Sequence, residues 1–186
     1  QVFELLKHNP AARLIAGATE LGLDITKRHK KFPTLISVEA VAELKEFKST
    51  ATEWRIGAAV TLTVIEDALV GEFPVLGDML RVFGSRQIRN RATRGGNIVT
   101  ASPIGDSAPV LLALDAKVVL VSESGERDLP ISEFFLAYRK TALQPDEVLK
   151  SIIFPRGASQ MGLTRKAAWF KVSKRREMDI STVAGC

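Results

Sequence analysis

The sequence of 186 residues has few of the side chains that hold metals or form disulfides. It contains one cysteine and two histidines, His8 and His29. A single thiol excludes an internal disulfide and favours a reducing, cytoplasmic location. It also excludes a self-contained zinc or iron–sulfur centre of the cysteine type, so we expect no metal site in this chain.

Long apolar runs and recognisable nucleic-acid motifs are also missing. No apolar run reaches the length of a membrane span and no signal peptide is visible, so we expect no membrane insertion. The net charge is +5, partly from clusters at residues 27–31 and 165–176. A net positive charge is typical of chains that bind phosphates, nucleic acid or an acidic partner. Because the one tyrosine gives no stacking platform, we expect no nucleic-acid partner and interpret residues 27–31 as a solvated face.

The most informative stretch is residues 92–106, in which small residues and hydroxyls surround a glycine pair. Gly95 and Gly96 leave the backbone open to the approach of a large ligand. The neighbouring short donors and acceptors are Thr93, Asn97, Thr100 and Ser102. A simple Gly-Gly turn is the alternative interpretation. The density of hydroxyls and the closing Asp106 favour a loop that binds an anionic, polyhydroxylated ligand such as a nucleotide cofactor.

A second glycine-bounded loop, residues 17–22, follows a predicted strand. It lacks the lysine of a P-loop and the spacing of the dinucleotide fingerprint, so a tight connection explains it equally well. Together, however, the two loops suit a long ligand clamped between two lobes. We find no Ser-His-Asp or Cys-His arrangement, and we expect no catalytic side chain, because a bound cofactor would carry the reaction.

The hydrophobic pattern predicts an α+β fold. The predicted strands are residues 12–16, 54–60, 117–121, 127–129, 148–154 and 167–172. The predicted helices are residues 37–47, 63–70, 74–83 and 106–114, and residues 155–162 are predicted to form a loop.

We expect two lobes, a small one at residues 1–50 and a larger one at residues 51–186. The sequence starts on Gln1 and stops directly after residues 181–185, which are typical of a strand. We therefore expect the chain to be a piece of a longer protein.

Four motifs occur in order and carry a family resemblance: residues 17–22, 92–106, 138–141 and 174–180. This combination resembles the FAD-binding domain of the molybdenum hydroxylases, with most similarity to the small subunit of the bacterial xanthine dehydrogenase type. The resemblance implies the vanillyl-alcohol-oxidase or PCMH-like fold, with FAD between a small βαβ lobe and a larger lobe of antiparallel sheet and flanking helices. The family's C-terminal flavin-domain lobe would be absent from this chain.

The resemblance also implies which residues contact FAD. The first loop would bind the pyrophosphate, Phe83 would lie against the flavin or adenine side, and Lys171 would lie near the isoalloxazine. The implied contacts are Leu14, Ile15, Ala16, Gly17, Ala18, Thr19, Glu20, Leu21, Phe83, Ala92, Thr93, Gly96, Asn97, Thr100, Asp106, Leu149 and Lys171.

In the family, a molybdopterin site hydroxylates a purine, and electrons pass through [2Fe–2S] clusters to FAD, which reduces NAD. The resemblance therefore implies that this chain is the flavin stage alone. Its partners would be an iron–sulfur segment and a molybdopterin-binding large subunit in a hetero-oligomer. Residues 174–177 favour the xanthine type.

Three positions depart from the family pattern. Ala18 stands where bacterial relatives often have glycine, and Met178 stands where an acidic residue is common. Arg94 replaces a common aliphatic residue, and we expect its side chain to be solvated.

Two alternatives remain open. One is the flavin subunit of a related carbon monoxide, aldehyde or N-heterocycle dehydrogenase. The other is a non-enzymatic basic module that binds nucleic acid or an acidic partner.

Overall fold

The computed structural model describes residues 1–69, 71–156, 166–175 and 178–186. Its helices are α1 (Val2–His8), α2 (Leu21–Thr26), α3 (Leu62–Leu69), α4 (Pro74–Arg81), α5 (Arg86–Arg91), α6 (Arg94–Val99), α7 (Ser107–Ala113) and α8 (Ile131–Phe134). Its strands are β1 (Arg13–Ile15), β2 (Leu35–Ser37), β3 (Phe47–Ser49), β4 (Glu53–Gly57), β5 (Lys117–Ser122), β6 (Gly125–Pro130), β7 (Phe135–Ala137), β8 (Lys140–Thr141), β9 (Val148–Pro155), β10 (Phe170–Val172) and β11 (Val183–Gly185).

A five-stranded antiparallel sheet in the order β3-β4-β9-β5-β6 is the largest unit. Its central strands β5 and β9 are rich in Val and Ile, which pack well on a pleated surface, and both are mostly buried. Edge strand β6 is mostly exposed and carries charged side chains, which disfavour pairing with another chain. Two small antiparallel pairs, β7–β8 and β10–β11, stand apart from this sheet.

The main hydrophobic core lies between this sheet and helices α3, α4 and α7. In α4, Pro74 occupies the first turn, where its missing N–H would be unpaired in any case. The helix then buries Val75, Leu76, Met79 and Leu80 on one face. The predicted helices at residues 63–70, 74–83 and 106–114 are therefore present with slightly different ends, although Val70 lies outside the described residues.

The small lobe contains the βαβ unit that the family resemblance implies, but its helix is α2 and not the predicted helix at residues 37–47. Strands β1 and β2 pair in parallel, with Leu14 opposite Ile36, and α2 connects them. Together with the antiparallel sheet and its helices, this confirms the α+β, two-lobed architecture.

The predicted helix at residues 37–47 is wrong. Ser37 ends β2, and the Val38 N–H continues the pairing by donating to Ile15 O at 2.9 Å. Only a short 3₁₀ turn, Ala42–Lys45, follows. The apolar residues Val38, Val41 and Leu44 are three apart, a spacing that serves a 3₁₀ turn as well as a helix.

The lobe boundary predicted at residue 50 falls directly after β3. Strand β3 pairs with β4, with Phe47 opposite Ile56, so it belongs with the larger lobe. The predicted loop at 155–162 begins after β9, but residues 157–162 lie outside the described residues.

Gly17 marks the closest approach of the first loop to the larger lobe. A Cβ added there would lie 1.7 Å from the Arg91 carbonyl oxygen and 2.5 Å from its carbon. Exposed ion pairs bridge the same lobes at Lys7 with Glu123, Arg91 with Glu39, and Arg139 with Glu20. Thus the first loop rests directly on the start of the 92–106 segment.

This packing predicts that Gly17→Ala weakens the fold. Because the new methyl would overlap backbone atoms, we expect a loss of at least about 2 kcal/mol in unfolding free energy. The measurement is thermal unfolding followed by circular dichroism. Gly22→Ala is the control, since a Cβ there meets nothing within 4 Å. Equal melting temperatures for both variants would contradict this account of Gly17.

Candidate functional site

The first loop connects β1 to α2 and holds one strained residue. Ala18 adopts φ of 60°, in the left-handed region that a Cβ disfavours. Its carbonyl accepts from the Gly22 N–H at 2.7 Å, which closes the turn into α2. This geometry explains physically why a glycine would suit position 18.

The 92–106 segment is not simply a loop, because it contains helix α6. Thr93 caps the helix: its Oγ1 accepts from the Gly96 N–H at 3.2 Å. The interpretation of the glycine pair as a turn is therefore wrong, because both glycines lie in the first helical turn. The cap satisfies one of the free N–H groups at the helix start.

The two neighbouring glycines have different roles. A Cβ on Gly95 would lie 2.5 Å from Ala58 Cβ and 2.8 Å from Ala58 O, so Gly95 is required by packing. A Cβ on Gly96 would meet only Thr93 Oγ1, at 3.0 Å, and Gly96 is exposed. Only Gly96 therefore presents open backbone to a ligand.

Asp106 and Lys171 form a buried ion pair. Lys171 Nζ lies 2.9 Å from Asp106 Oδ2, and the two side chains are 6% and 7% exposed. Ser181 Oγ donates to the other carboxylate oxygen of Asp106. Although Asp106 precedes α7, its side chain makes no capping hydrogen bond. Its role as a helix cap is thereby excluded, and the carboxylate instead fixes a lysine from β10.

Asp179 provides the second partner of Lys171. Its backbone oxygen accepts from Lys171 Nζ at 2.8 Å. Its carboxylate accepts from the Arg175 N–H at 2.8 Å, and this hydrogen bond lowers the pKa of Asp179. The Lys171 ammonium is thus held from two sides in one position.

A cavity of about 430 Å³ adjoins this ion pair. Its lining residues are Val82, Trp169, Lys171, Val172, Ser173, Lys174 and Arg175. The buried Trp169 Nε1 donates to no partner within the described residues. Phe83 follows Val82 directly. The cavity therefore combines three cations with an indole whose N–H is an unpaired donor within the described residues.

The other predicted contacts are mostly occupied or buried. Thr100 Oγ1 donates to Gly96 O at 2.8 Å, and Asn97 Oδ1 accepts from Ser107 Oγ at 2.5 Å. Ala92 is buried in the main core. Leu149 is 4% exposed within the same core, so the structure does not bring its side chain to the open site.

Arg94 is not solvated as predicted. It is 1% exposed, and all three guanidinium nitrogens lack a partner within the described residues. Burial lowers the pKa of the Arg94 guanidinium to about 10, so it is still charged at neutral pH. Arg94 and the core residue Ile98 stand four positions apart in α6, so they share its inner face.

Sequence reasoning missed two polar groups at this site, Ser181 and Trp169. Ser181 directly follows the 174–180 motif, so its closeness to that motif could have marked it as a candidate site residue. Nothing near Trp169 in the sequence points to its unpaired nitrogen. In the described residues, no three His, Cys, Asp or Glu side chains are grouped to hold a metal ion. No described helix combines the length and apolarity needed to cross a bilayer.

Comparisons with known proteins agree with this geometry. Residues 1–157 match the family described as the FAD binding domain in molybdopterin dehydrogenase. The chain is 37% identical over 195 residues to a xanthine dehydrogenase/oxidase of Gallus gallus and 35% identical over 194 residues to a xanthine dehydrogenase of Emericella nidulans. Each match covers 98% of this chain and 14% of the relative, so the chain spans about a seventh of their length.

Solved structures share the fold. A carbon monoxide dehydrogenase of Hydrogenophaga pseudoflava that lacks the Mo-pyranopterin moiety of its cofactor superposes with a TM-score of 0.86 at 26% identity. That match covers 98% of this chain and 63% of the other. Quinoline 2-oxidoreductase of Pseudomonas putida 86, at 24% identity, has a TM-score of 0.87 over 98% of this chain and 62% of its own.

The fold and the sequence matches together identify the chain as a two-lobed, FAD-binding domain of a kind found in oxidoreductases. The chain belongs to the family of FAD-binding domains of the molybdopterin dehydrogenases, and its relatives there are of the xanthine dehydrogenase type. FAD is the cofactor of this family.

The buried guanidinium predicts that Arg94→Leu stabilises the chain. The lowered pKa corresponds to roughly 3 kcal/mol against burying the charge. The cost of burying the charged guanidinium disappears only as the pH rises above about 10. The increase in unfolding free energy caused by Arg94→Leu should therefore be constant across the neutral pH range. We expect a melting temperature higher by about 5 °C or more in calorimetry.

Arg81→Leu is the matched control, because Arg81 is an exposed arginine whose side chain is 74% accessible. It should change the unfolding free energy by no more than about 0.5 kcal/mol. A lower melting temperature for Arg94→Leu than for the unsubstituted chain would show that Arg94 has a stabilising partner.

Proposed function

We propose that this chain is the flavin stage of a xanthine dehydrogenase-type molybdenum hydroxylase, which passes electrons from [2Fe–2S] clusters through FAD to NAD. The observation that carries the proposal is the identity of 37% and 35% with two such relatives over 98% of the chain. The chemistry that FAD supplies when bound is the transfer of electrons between a donor and an acceptor.

The described residues fit such a cofactor at both ends. Gly96 is exposed and carries no side chain, so a ligand can approach the first turn of α6 closely, although the Gly96 N–H itself donates to Thr93. The cavity beside Phe83 supplies the unpaired Trp169 Nε1 and the Lys171 ammonium, which suit a ring with acceptor atoms. We infer that FAD lies between the small lobe, which ends before β3, and the larger lobe, along the predicted contact residues.

We infer different roles for the two members of the ion pair. An ammonium has three donors, and Lys171 uses two of them for Asp106 and Asp179 O. The third donor is available to an electron-rich ring edge in the adjoining cavity. Asp106 fixes Lys171 through one carboxylate oxygen and accepts from Ser181 through the other, and its remaining lone pairs stay available to FAD.

The proposal includes partners outside this chain. Purine hydroxylation would occur on a molybdopterin-binding subunit, and an iron–sulfur segment would deliver the electrons in a hetero-oligomer. NAD is the proposed acceptor, in purine metabolism. We propose a cytoplasmic location, since the single cysteine of the sequence offers no internal disulfide.

A second candidate is the flavin subunit of a carbon monoxide dehydrogenase-type enzyme. The superposition with a TM-score of 0.86 on such an enzyme supports it, but the 26% identity is lower than that with the xanthine dehydrogenases. Both candidates require FAD, so the first test is common to them.

That test is a titration of the purified chain with FAD, followed by absorption after desalting. Retained flavin bands support the proposal. Riboflavin, which lacks the pyrophosphate, is the control. If the chain retains FAD no better than riboflavin, a basic binding module becomes the better hypothesis.

Gly96→Val should prevent FAD binding. The branched side chain would fill the space above the exposed Gly96, and its Cβ would lie 3.0 Å from the Thr93 hydroxyl that caps α6. We expect no retained flavin and a melting temperature within a few degrees of the unsubstituted chain. Gly71→Val adds the same volume where nothing lies within 4 Å. Normal flavin content in Gly96→Val would remove this position from the site.

Lys171→Met should lose stability and flavin binding together, because it leaves Asp106 as a buried carboxylate without its cation. The expected loss is about 3 kcal/mol of unfolding free energy. The double variant Lys171→Met, Asp106→Asn should recover most of the melting temperature but not the FAD affinity. Recovery of both in the double variant would show that Lys171 is only structural.

A further inference from the structure

The turn between α4 and α5 carries Val82 to the edge of the cavity, and the half-buried Phe83 beside it packs against the main core. Val82 lines the cavity, and Phe83 is the next residue. Gly84 then takes φ of 53°, and Ser85 caps α5 by accepting from the Ile88 N–H at 3.3 Å. The position of Phe83 therefore depends on what holds this turn.

Arg89 holds the turn from within. Its Nη1 donates to the carbonyl oxygens of Phe83 and Gly84, both at 3.1 Å. Its Nε donates to Glu66 Oε2 at 2.9 Å, and the residue is 8% exposed. One buried guanidinium thus connects the turn to helix α3, which contains Glu66.

The chemistry of this contact requires arginine. The rigid fork presents donors in fixed directions, so one side chain can reach a carboxylate and two carbonyls together. An ammonium on a flexible stem would keep the charge near Glu66 but would fix the carbonyls less well. Arg89 is therefore suited to setting a backbone position as well as to pairing a charge.

Removing Arg89 should disturb the turn without unfolding the domain. Glu66 retains a second cation, because Arg86 Nη1 lies 3.3 Å from its Oε2. The carbonyls of Phe83 and Gly84 belong to half-buried residues. The cap from Ser85 to α5 does not involve Arg89.

We propose that Arg89, anchored by Glu66, is the positioning residue that sets Phe83 and Val82 at the edge of the FAD cavity. The inference rests on the proposed FAD site and extends it to a residue that the family resemblance did not include. Arg89 acts through the turn and does not touch the cofactor.

The experiment compares FAD dissociation constants by flavin fluorescence for Arg89→Met and Arg86→Met. Misplacement of Phe83 should weaken binding at least about tenfold in Arg89→Met. Arg86→Met is the control, because Arg86 also pairs with Glu66 but is exposed and contacts neither turn carbonyl. It should bind within about twofold of the unsubstituted chain.

A double-variant cycle shows whether the effect passes through Phe83. In a Phe83→Leu background, Arg89→Met should change the dissociation constant by no more than about twofold, because coupled residues are not additive. Full additivity would overturn the positioning role. If Arg89→Met fails to fold, Arg89→Lys replaces it, with an intermediate loss of affinity and an altered visible circular dichroism of the flavin expected.

The two proposals fail differently. An unsubstituted chain that binds no FAD overturns the proposed function and this inference with it. An unsubstituted chain that binds FAD, with equal binding by Arg89→Met, overturns only the role of Arg89.

Discussion

The contact of Gly17 with the backbone of Arg91 is the constraint on which the candidate site depends. Any side chain at position 17 would push the first loop away from the larger lobe by overlapping a carbonyl group. With glycine there, two segments more than seventy residues apart in sequence lie together, and the cap of α6 follows immediately at Thr93. Exposed ion pairs accompany this contact, but their individual contributions at a solvent-accessible surface are small. Steric fit therefore sets the distance between the lobes.

Around this junction, the charged groups divide into two kinds. Arg89 and Lys171 are buried, and each has an acidic partner and a backbone oxygen that offset the cost of burying its charge, so each fixes a piece of chain. Arg94 is buried without such partners in the described part of the chain. Within the described residues, Lys171 thus lines the cavity as a paired cation, Arg89 holds the neighbouring turn, and Arg94 lies unpaired on the inner face of α6.

The sequence predicts the helices and strands that have a strong periodic pattern of apolar residues. It does not predict those that depend on contacts with residues distant in sequence. Helix α4 and strands β5 and β9 follow from apolar spacing, because each buries a regular face. Helix α6 was missed since paired glycines disfavour helix, whereas the Thr93 cap, packing on Ala58 and burial of Ile98 stabilise it. The pairing of Lys171 with Asp106 could not be predicted, because no local pattern links residues so distant in sequence.

The buried ion pair also bears on where a domain of this kind can be cut. The family match ends at residue 157, after the sheet is complete. The cation and the hydroxyl that satisfy Asp106 come from Lys171 and Ser181, beyond that limit. A boundary drawn at the end of the recognisable family would leave a buried carboxylate with neither partner. The physical unit of this domain therefore extends past residue 157, where the family match ends, as do the matches to the xanthine dehydrogenases.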